Sequence, residues 1–256
     1  MGKIVAVGGG EMKLGETTGI DREIIHLTGK THPRLLFLPT ASNDAVTYYD
    51  SVKQHFGQEL RCKTDVLFLI QDKPQIKEIE KKILSADAVY VGGGNTEKMM
   101  RVWRQTGAAQ VLKQAYERGI VLSGISAGAI CWFRWGNSDS RILAGNSSSL
   151  IRISGLDLVH ALYCPHFDAE SHRHESLKTM MFRTPGIAVG VDNCCAIEII
   201  DDKYRIISTK LSANAYRLFW KSGKYLKQVI KKGKGFRPLS PLLNKGDYRG
   251  FPLSRE

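Results

Sequence analysis

One stretch constrains this chain more than any other. Val121-Leu122-Ser123-Gly124-Ile125-Ser126-Ala127-Gly128-Ala129-Ile130 runs from a short apolar segment through Gly-x-Ser-x-Gly into small residues suited to a helix. That order is the strand, sharp turn and helix of a nucleophile elbow. Glycine is needed at Gly124 and Gly128 because a side chain there would collide with the neighbouring strand and helix. Ser126 would then stand exposed at the carboxyl end of a strand. The plainer alternative is an ordinary strand-to-helix turn that happens to contain serine, since Gly-x-Ser-x-Gly alone is a weak signal.

The segments before the elbow say what it is set into. Lys3–Val7 reads as a first strand ending in Gly8-Gly9-Gly10, and Glu16 to Thr28 has helical spacing closed by Gly29. Leu35–Leu38 is a second strand, and Ser42 or Asn43 caps a helix to about Phe56. Asp65–Ile70 is a third strand, and a helix runs from Pro74 to Leu84. Ala88–Val91 leads into Gly92-Gly93-Gly94-Asn95-Thr96, where Asn95 or Thr96 caps the next helix. Ala108–Arg118 is a further helix before the elbow strand. Strands alternating with helices predict an α/β fold with a mostly parallel sheet covered on both faces. Sites in such sheets lie at the carboxyl ends of the strands, where the glycine loops and Ser126 all fall. The first glycine run has Lys13 where a dinucleotide fingerprint wants glycine, so it is a weak phosphate signal.

After the elbow, Gly136–Ser140 and Asn146–Ser149 read as polar loops, and a helix carrying His172, His174 and Leu177 follows Phe167-Asp168. Ile187–Val191, Ala196–Ile200 and Tyr204–Ser208 read as strands, and Ala215–Trp220 with Tyr225–Ile230 as a final hairpin. From Lys231 onward Gly, Pro and Lys dominate and predict a loose tail. The expected organisation is a catalytic domain over residues 1–220, with 221–256 a basic strand and tail rather than a separate domain.

Composition narrows the classes. With 43% hydrophobic and 24% charged residues, 256 residues can bury one full α/β core, and no apolar run reaches a membrane span. Five scattered cysteines without Cys-x-x-Cys argue against a zinc site or disulfide framework and for a reducing cytoplasm. The net charge of +12 is uneven, with +8 of it carried from Lys221 to Glu256. Such a segment can attract nucleic acid, but is more often a solubilising face.

Serine needs a base, and the usual base is a histidine held by a carboxylate. His166 is the best candidate, stiffened by Pro165 at the end of a strand-like segment. Asp139 is the first choice to orient it, with Asp168, Asp192 and Glu198 as rivals. His172 and His174, with Asp168 and Glu170, lack metal-ligand spacing, so no metal and no cofactor are expected.

Taken together, Gly92-Gly93-Gly94-Asn95-Thr96, Gly124-Ile125-Ser126-Ala127-Gly128-Ala129 and Pro165-His166-Phe167 resemble the dipeptidase E (aspartyl dipeptidase) family of serine peptidases, to which cyanophycinases are related. The resemblance covers roughly residues 1–210. It implies a three-layer α/β/α sandwich of the class I glutamine amidotransferase type. By position it implies Ser126 as nucleophile, His166 as base, Asp139 as orienting acid, and backbone N–H groups of Gly93, Gly94 and Ala127 for the oxyanion. It implies a small peptide beginning with aspartate as substrate, whose carboxylate calls for a cation. Arg141 and Arg173, with Asn95, are the substrate-binding candidates, and Arg134 and Arg152 are also within reach. A homodimer is compatible with this reading. The alternatives are a cyanophycinase-like isopeptidase on β-aspartyl substrates and a non-catalytic, nucleic-acid-binding member of the fold.

Overall fold

The computed structural model describes residues 2–169, 171–183 and 186–243. Its core is an eight-stranded sheet. Lys3–Val7 (β1), Arg34–Leu38 (β2), Lys63–Val66 (β3), Ala88–Val91 (β4) and Val121–Ile125 (β5) are parallel. Cys195–Ile200 (β10), Lys203–Ser208 (β11) and Arg237–Pro238 (β14) extend it antiparallel beyond β1. The order across the sheet is β14-β11-β10-β1-β5-β4-β2-β3.

Alternation along each strand builds the layers. In β1, Ile4 and Ala6 face one way, onto helices Ile76–Ser85 (α3), Thr96–Thr106 (α4) and Ala108–Glu117 (α5). Val5 and Val7 face the other way, onto Thr18–His26 (α1) and Val46–Val52 (α2). The result is the expected α/β/α sandwich. α2 continues as a π-helical turn over Lys53–Glu59, which carries the buried His55 and Phe56.

A second sheet, not foreseen from the sequence, closes one side. Phe133–Ser138 (β6), Ile151–Ser154 (β7), Val159–Cys164 (β8), Ile187–Val191 (β9), Ala215–Lys221 (β12) and Lys224–Ile230 (β13) form it in the order β13-β12-β9-β8-β6-β7. One of its faces joins the main core through residues such as Ile153, Tyr163 and Val189. The other packs Leu162, Cys164 and Ala188 on Leu177 and Met181 of Ser171–Arg183 (α8).

Several expectations need correction. The elbow helix is a single turn, Ala127–Ile130 (α6), because the chain re-enters extended structure at Phe133. The supposed polar loop from Gly136 belongs mostly to β6, whose Gly136, Asn137 and Ser138 are all buried. The third strand stops at Val66. The segment after Lys231 is not wholly loose: β14 pairs with β11, and Arg217 Nε donates to Leu242 O at 2.8 Å. Residues 244–256 lie outside the described residues. Among the described residues no helix is long and apolar enough to cross a membrane.

Candidate active site

The site forms where three loops meet at the carboxyl ends of β1, β4 and β5. Ser126 follows β5 with φ 55° and ψ −113°, a conformation that costs a non-glycine residue about 1–3 kcal/mol. Its N–H donates to Val7 O at 3.1 Å, which ties the turn to β1. The flanking glycines are required by contact: a Cβ on Gly124 would lie 2.3 Å from Gly128 O, and one on Gly128 would lie 2.1 Å from Val91 O. Only backbone fits between β4, β5 and α6.

His166 arrives from the end of β8. Its backbone N–H donates to Gly8 O at 3.2 Å, and its own φ is +51°. The next residue anchors it: Phe167 is buried, its N–H donates to Val191 O, and its ring stacks on His174 at 4.0 Å. In that position His166 Nε2 lies 2.9 Å from Ser126 Oγ. The structure brings together two side chains that lie 40 positions apart in sequence.

The third partner is not the one expected. His166 Nδ1 lies 2.7 Å from Oδ1 of Asn193, in the turn between β9 and β10. An amide oxygen accepts, so Nδ1 carries the proton and Nε2 is left as the acceptor for the serine hydroxyl. The Asn193 N–H donates to Asp168 Oδ1 at 2.8 Å, so Asp168 holds the turn rather than the imidazole. Gly9 makes the meeting feasible, because a Cβ there would lie 1.9 Å from Asn193 Oδ1 and 2.4 Å from His166 Nδ1. The first glycine run thus clears space for the histidine and its partner, with no phosphate needed to explain it.

Asp139 is committed elsewhere. Its carboxylate pairs with Arg173 Nη2 at 3.3 Å, and the nearly inaccessible Arg173 also donates to Asn137 O at 3.1 Å. The remaining rivals are also engaged away from His166. Asp192 accepts from Asn214 N–H and Tyr216 O–H, and burial pushes its carboxyl up. Glu198 sits in β10 under Arg205, and burial raises it too, against the pull of that guanidinium.

The oxyanion candidates lie on either side of the serine. A Cβ on Gly93 would be 3.5 Å from Ser126 Cβ, and the Gly93 N–H points at Tyr48 Oη over a long 3.4 Å. Burial pushes the Tyr48 phenol up to about 12, so it stays protonated. Gly94 adopts φ +132°, where a Cβ would strike Ala41 O. Ala127 opens α6 directly after Ser126. Asn95 caps α4, accepting from Lys98 N–H and donating to Ser140 O, so its side chain is spent on the fold. Arg141 pairs with Glu97, Arg134 contacts His160, and Arg152 stacks on Trp135. Among the described residues these contacts lie away from Ser126.

The sequence missed Asn193 because asparagine in a turn reads as turn chemistry. Its one signal was position, beside Asp192 at the end of a strand. A cavity of about 310 Å³ reaches Ile125, the residue before Ser126, and is lined by Gly10, Glu11, Lys13, Tyr48 and Tyr90 among others. A larger one, about 680 Å³, lies between β7 and α8 around Arg152, His172 and Glu175 and contains no part of the Ser126 centre. Among the described residues no group of three His, Cys, Asp or Glu side chains could hold a metal, and Glu170 lies outside them.

With this geometry in hand, the relatives can be placed. A model of peptidase family S51 matches residues 4–207. The chain is 34% identical over 223 residues to the uncharacterized peptidase YgaJ of Bacillus subtilis, covering 85% of this chain and 92% of that protein. It is 25% identical over 200 residues to peptidase E of a Nostoc species, covering 74% and 78% respectively. The crystal structure of a peptidase from an acI-B1 Actinobacterium shares the fold, with a TM-score of 0.71 over 93% of this chain and 97% of that one at 17% identity. The chain belongs to peptidase family S51, the family of peptidase E, and is a serine hydrolase.

Proposed function

We propose that this peptidase cleaves short peptides through an acyl-enzyme on Ser126, with His166 as general base and Asn193 as the group that orients it. The observation that carries this reading is the hydrogen-bonded chain from Ser126 Oγ to His166 to Asn193 at 2.9 and 2.7 Å. His166 Nε2 takes the hydroxyl proton as Oγ attacks the scissile carbonyl. The oxyanion is met by N–H groups of Ala127 and of the Gly93–Gly94 loop, each such donor being worth roughly 10²–10³ in rate. The imidazolium then gives its proton to the leaving amine, and water repeats the sequence on the ester. Asn193 does the positional part of a third member without a charge, as asparagine does in Cys-His-Asn peptidases.

Dipeptides that begin with aspartate are the first substrates to try, on the motif resemblance and on the name of the Nostoc relative. A cytoplasmic setting is the companion proposal, supported by five buried cysteines scattered without a Cys-x-x-Cys pair. The test is mass spectrometry after a small fluorophosphonate, beside turnover of α- and β-aspartyl dipeptides. One adduct on Ser126 that requires His166 is the expected result. A folded protein that hydrolyses these dipeptides with Ser126→Ala in place sinks the reading.

A further inference from the structure

The cavity lined by Ile125 and Tyr48 opens into a second one. It shares Met12, Lys13, Thr47 and Ser51 with this neighbour of about 630 Å³, which runs along α2 and its π-helical extension to His55 and Glu59. The two make one trough between the 3-10 turn Met12–Leu14 and α2, starting at Ile125, one residue before Ser126, and at Tyr48, whose Oη faces the Gly93 N–H at 3.4 Å. The near part alone sits at the lower edge of the ~300–1,000 Å³ usual for small-ligand pockets, so the far part adds room for further residues.

Its charge is opposite to that of the molecule. The chain carries +12, yet the described charged residues lining the trough are Glu11, Asp50 and Glu59 against Lys13, with His55 already held between Asp21 and Glu59. Lys13 lies in the shared section, and Asp50 and Glu59 line only the far section. Asp50 contacts Lys53 at 3.7 Å with both side chains more than half exposed, a pair worth little and easily exchanged. Glu59 is also half exposed and keeps one carboxylate oxygen clear of His55.

We propose that this trough is the substrate channel for peptides longer than two residues, and that Asp50 and Glu59 form a distal subsite for a lysine or arginine side chain. The proposal rests on Ser126 marking the scissile bond, and its test separates the two ideas. Tripeptides and tetrapeptides with Arg, Ala or Glu at successive positions would be titrated calorimetrically into the Ser126→Ala protein, where no turnover is needed. At one position the Arg peptide should bind about three- to tenfold more tightly than the Ala peptide, with the Glu peptide weakest. The advantage should shrink in high salt, because the carboxylates are exposed. Adding Asp50→Asn and Glu59→Gln should erase it while leaving the Ala peptide within twofold. Asp50→Asn alone, on an exposed helix face, should remove part of it without touching His55. Equal Kd values for Arg, Ala and Glu at every position overturn the proposal, and so does an Arg preference that survives both substitutions. In the wild type the same preference should appear in KM with kcat nearly constant. Fluorophosphonate labelling reports separately: Arg-selective binding without a Ser126 adduct keeps the subsite and removes the nucleophile, and a Ser126 adduct without Arg selectivity does the reverse.

Discussion

Two histidines in this molecule sit in chains of similar make-up and are set to opposite tasks. At the strand ends, His166 lies between the Ser126 hydroxyl and the neutral amide oxygen of Asn193. Behind the sheet, His55 lies between Asp21 at 2.9 Å and Glu59 at 3.1 Å, and Thr17 Oγ1 donates to the same Asp21 oxygen at 2.8 Å. Burial disfavours the charged form of His55, but the two carboxylates outweigh it and raise its pKa. Burial likewise raises Asp21, against the pull of His55. Both shifts keep protons on the pair. A histidine drawn toward its cation by two carboxylates donates at both nitrogens and has no lone pair left for a hydroxyl proton. A histidine facing an amide oxygen keeps a lone pair for its serine. The neighbour on the far nitrogen makes the difference: one histidine keeps an acceptor, and the other clamps two carboxylates.

The comparison breaks most visibly at Ser126. Ser126→Ala should lower peptide turnover by at least about 10⁴-fold with an unchanged circular dichroism spectrum. Turnover within tenfold of wild type would remove the centre from the chemistry.

Next in size is the clamp. His55→Leu should destabilise the fold by about 3 kcal/mol in denaturant titration, near the low end for an orphaned buried partner because Asp21 can take up a proton. The sign with pH follows from the raised pKa values. The His55 contribution is fully present below the ordinary histidine value of about 6.5 and is lost as pH rises through the higher folded value. In His55→Leu that histidine loss disappears, and the loss that Asp21 already brings above the ordinary aspartate value of about 3.9 becomes larger, because nothing then offsets the burial of its carboxylate. Parallel stability curves for the two proteins from pH 4 to 9 would contradict the clamp.

Asn193 sharpens the contrast. Asn193→Ala should cost about 10- to 100-fold in kcat through a misoriented imidazole, with KM nearly unchanged. Asn193→Asp should restore turnover and move the acidic limb of the pH–rate profile upward, because a carboxylate favours the imidazolium. An unmoved limb would mean that residue 193 does not face His166 in the working enzyme.

The smallest effect is expected at Asp139. Asp139→Asn should leave kcat within about threefold and appear instead as a loss of roughly 1–3 kcal/mol of stability, since it weakens the partner of a buried arginine. A collapse of kcat to the level of His166→Ala would return Asp139 to the catalytic chain.

How much of this was legible in the residues depends on how local each feature is. The elbow could be read because Gly124, Ser126 and Gly128 fall within one turn and their spacing is itself the geometry. His166 could be read because Pro165 and the strand before it point it toward the same edge. The parallel sheet followed from strands alternating with helices. Asn193 could not be read, because its role exists only once β10 pairs antiparallel with β1 and sets the turn against Gly9. The second sheet escaped for a related reason: Gly136, Asn137 and Ser138 look like a loop until β8 and Arg173 bury them.

By itself, then, the sequence determined the alternation of strands and helices, the sharp turn at Ser126 and the histidine to go with it, because those properties reside in neighbours along the chain. Tertiary structure alone decided that Asp139 pairs with Arg173, that Asn193 faces His166 and that the far section of the trough gathers Asp50 and Glu59. Each of those depends on which distant strands share an edge, and a hydrogen bond at 2.7 Å has no counterpart in one-dimensional spacing.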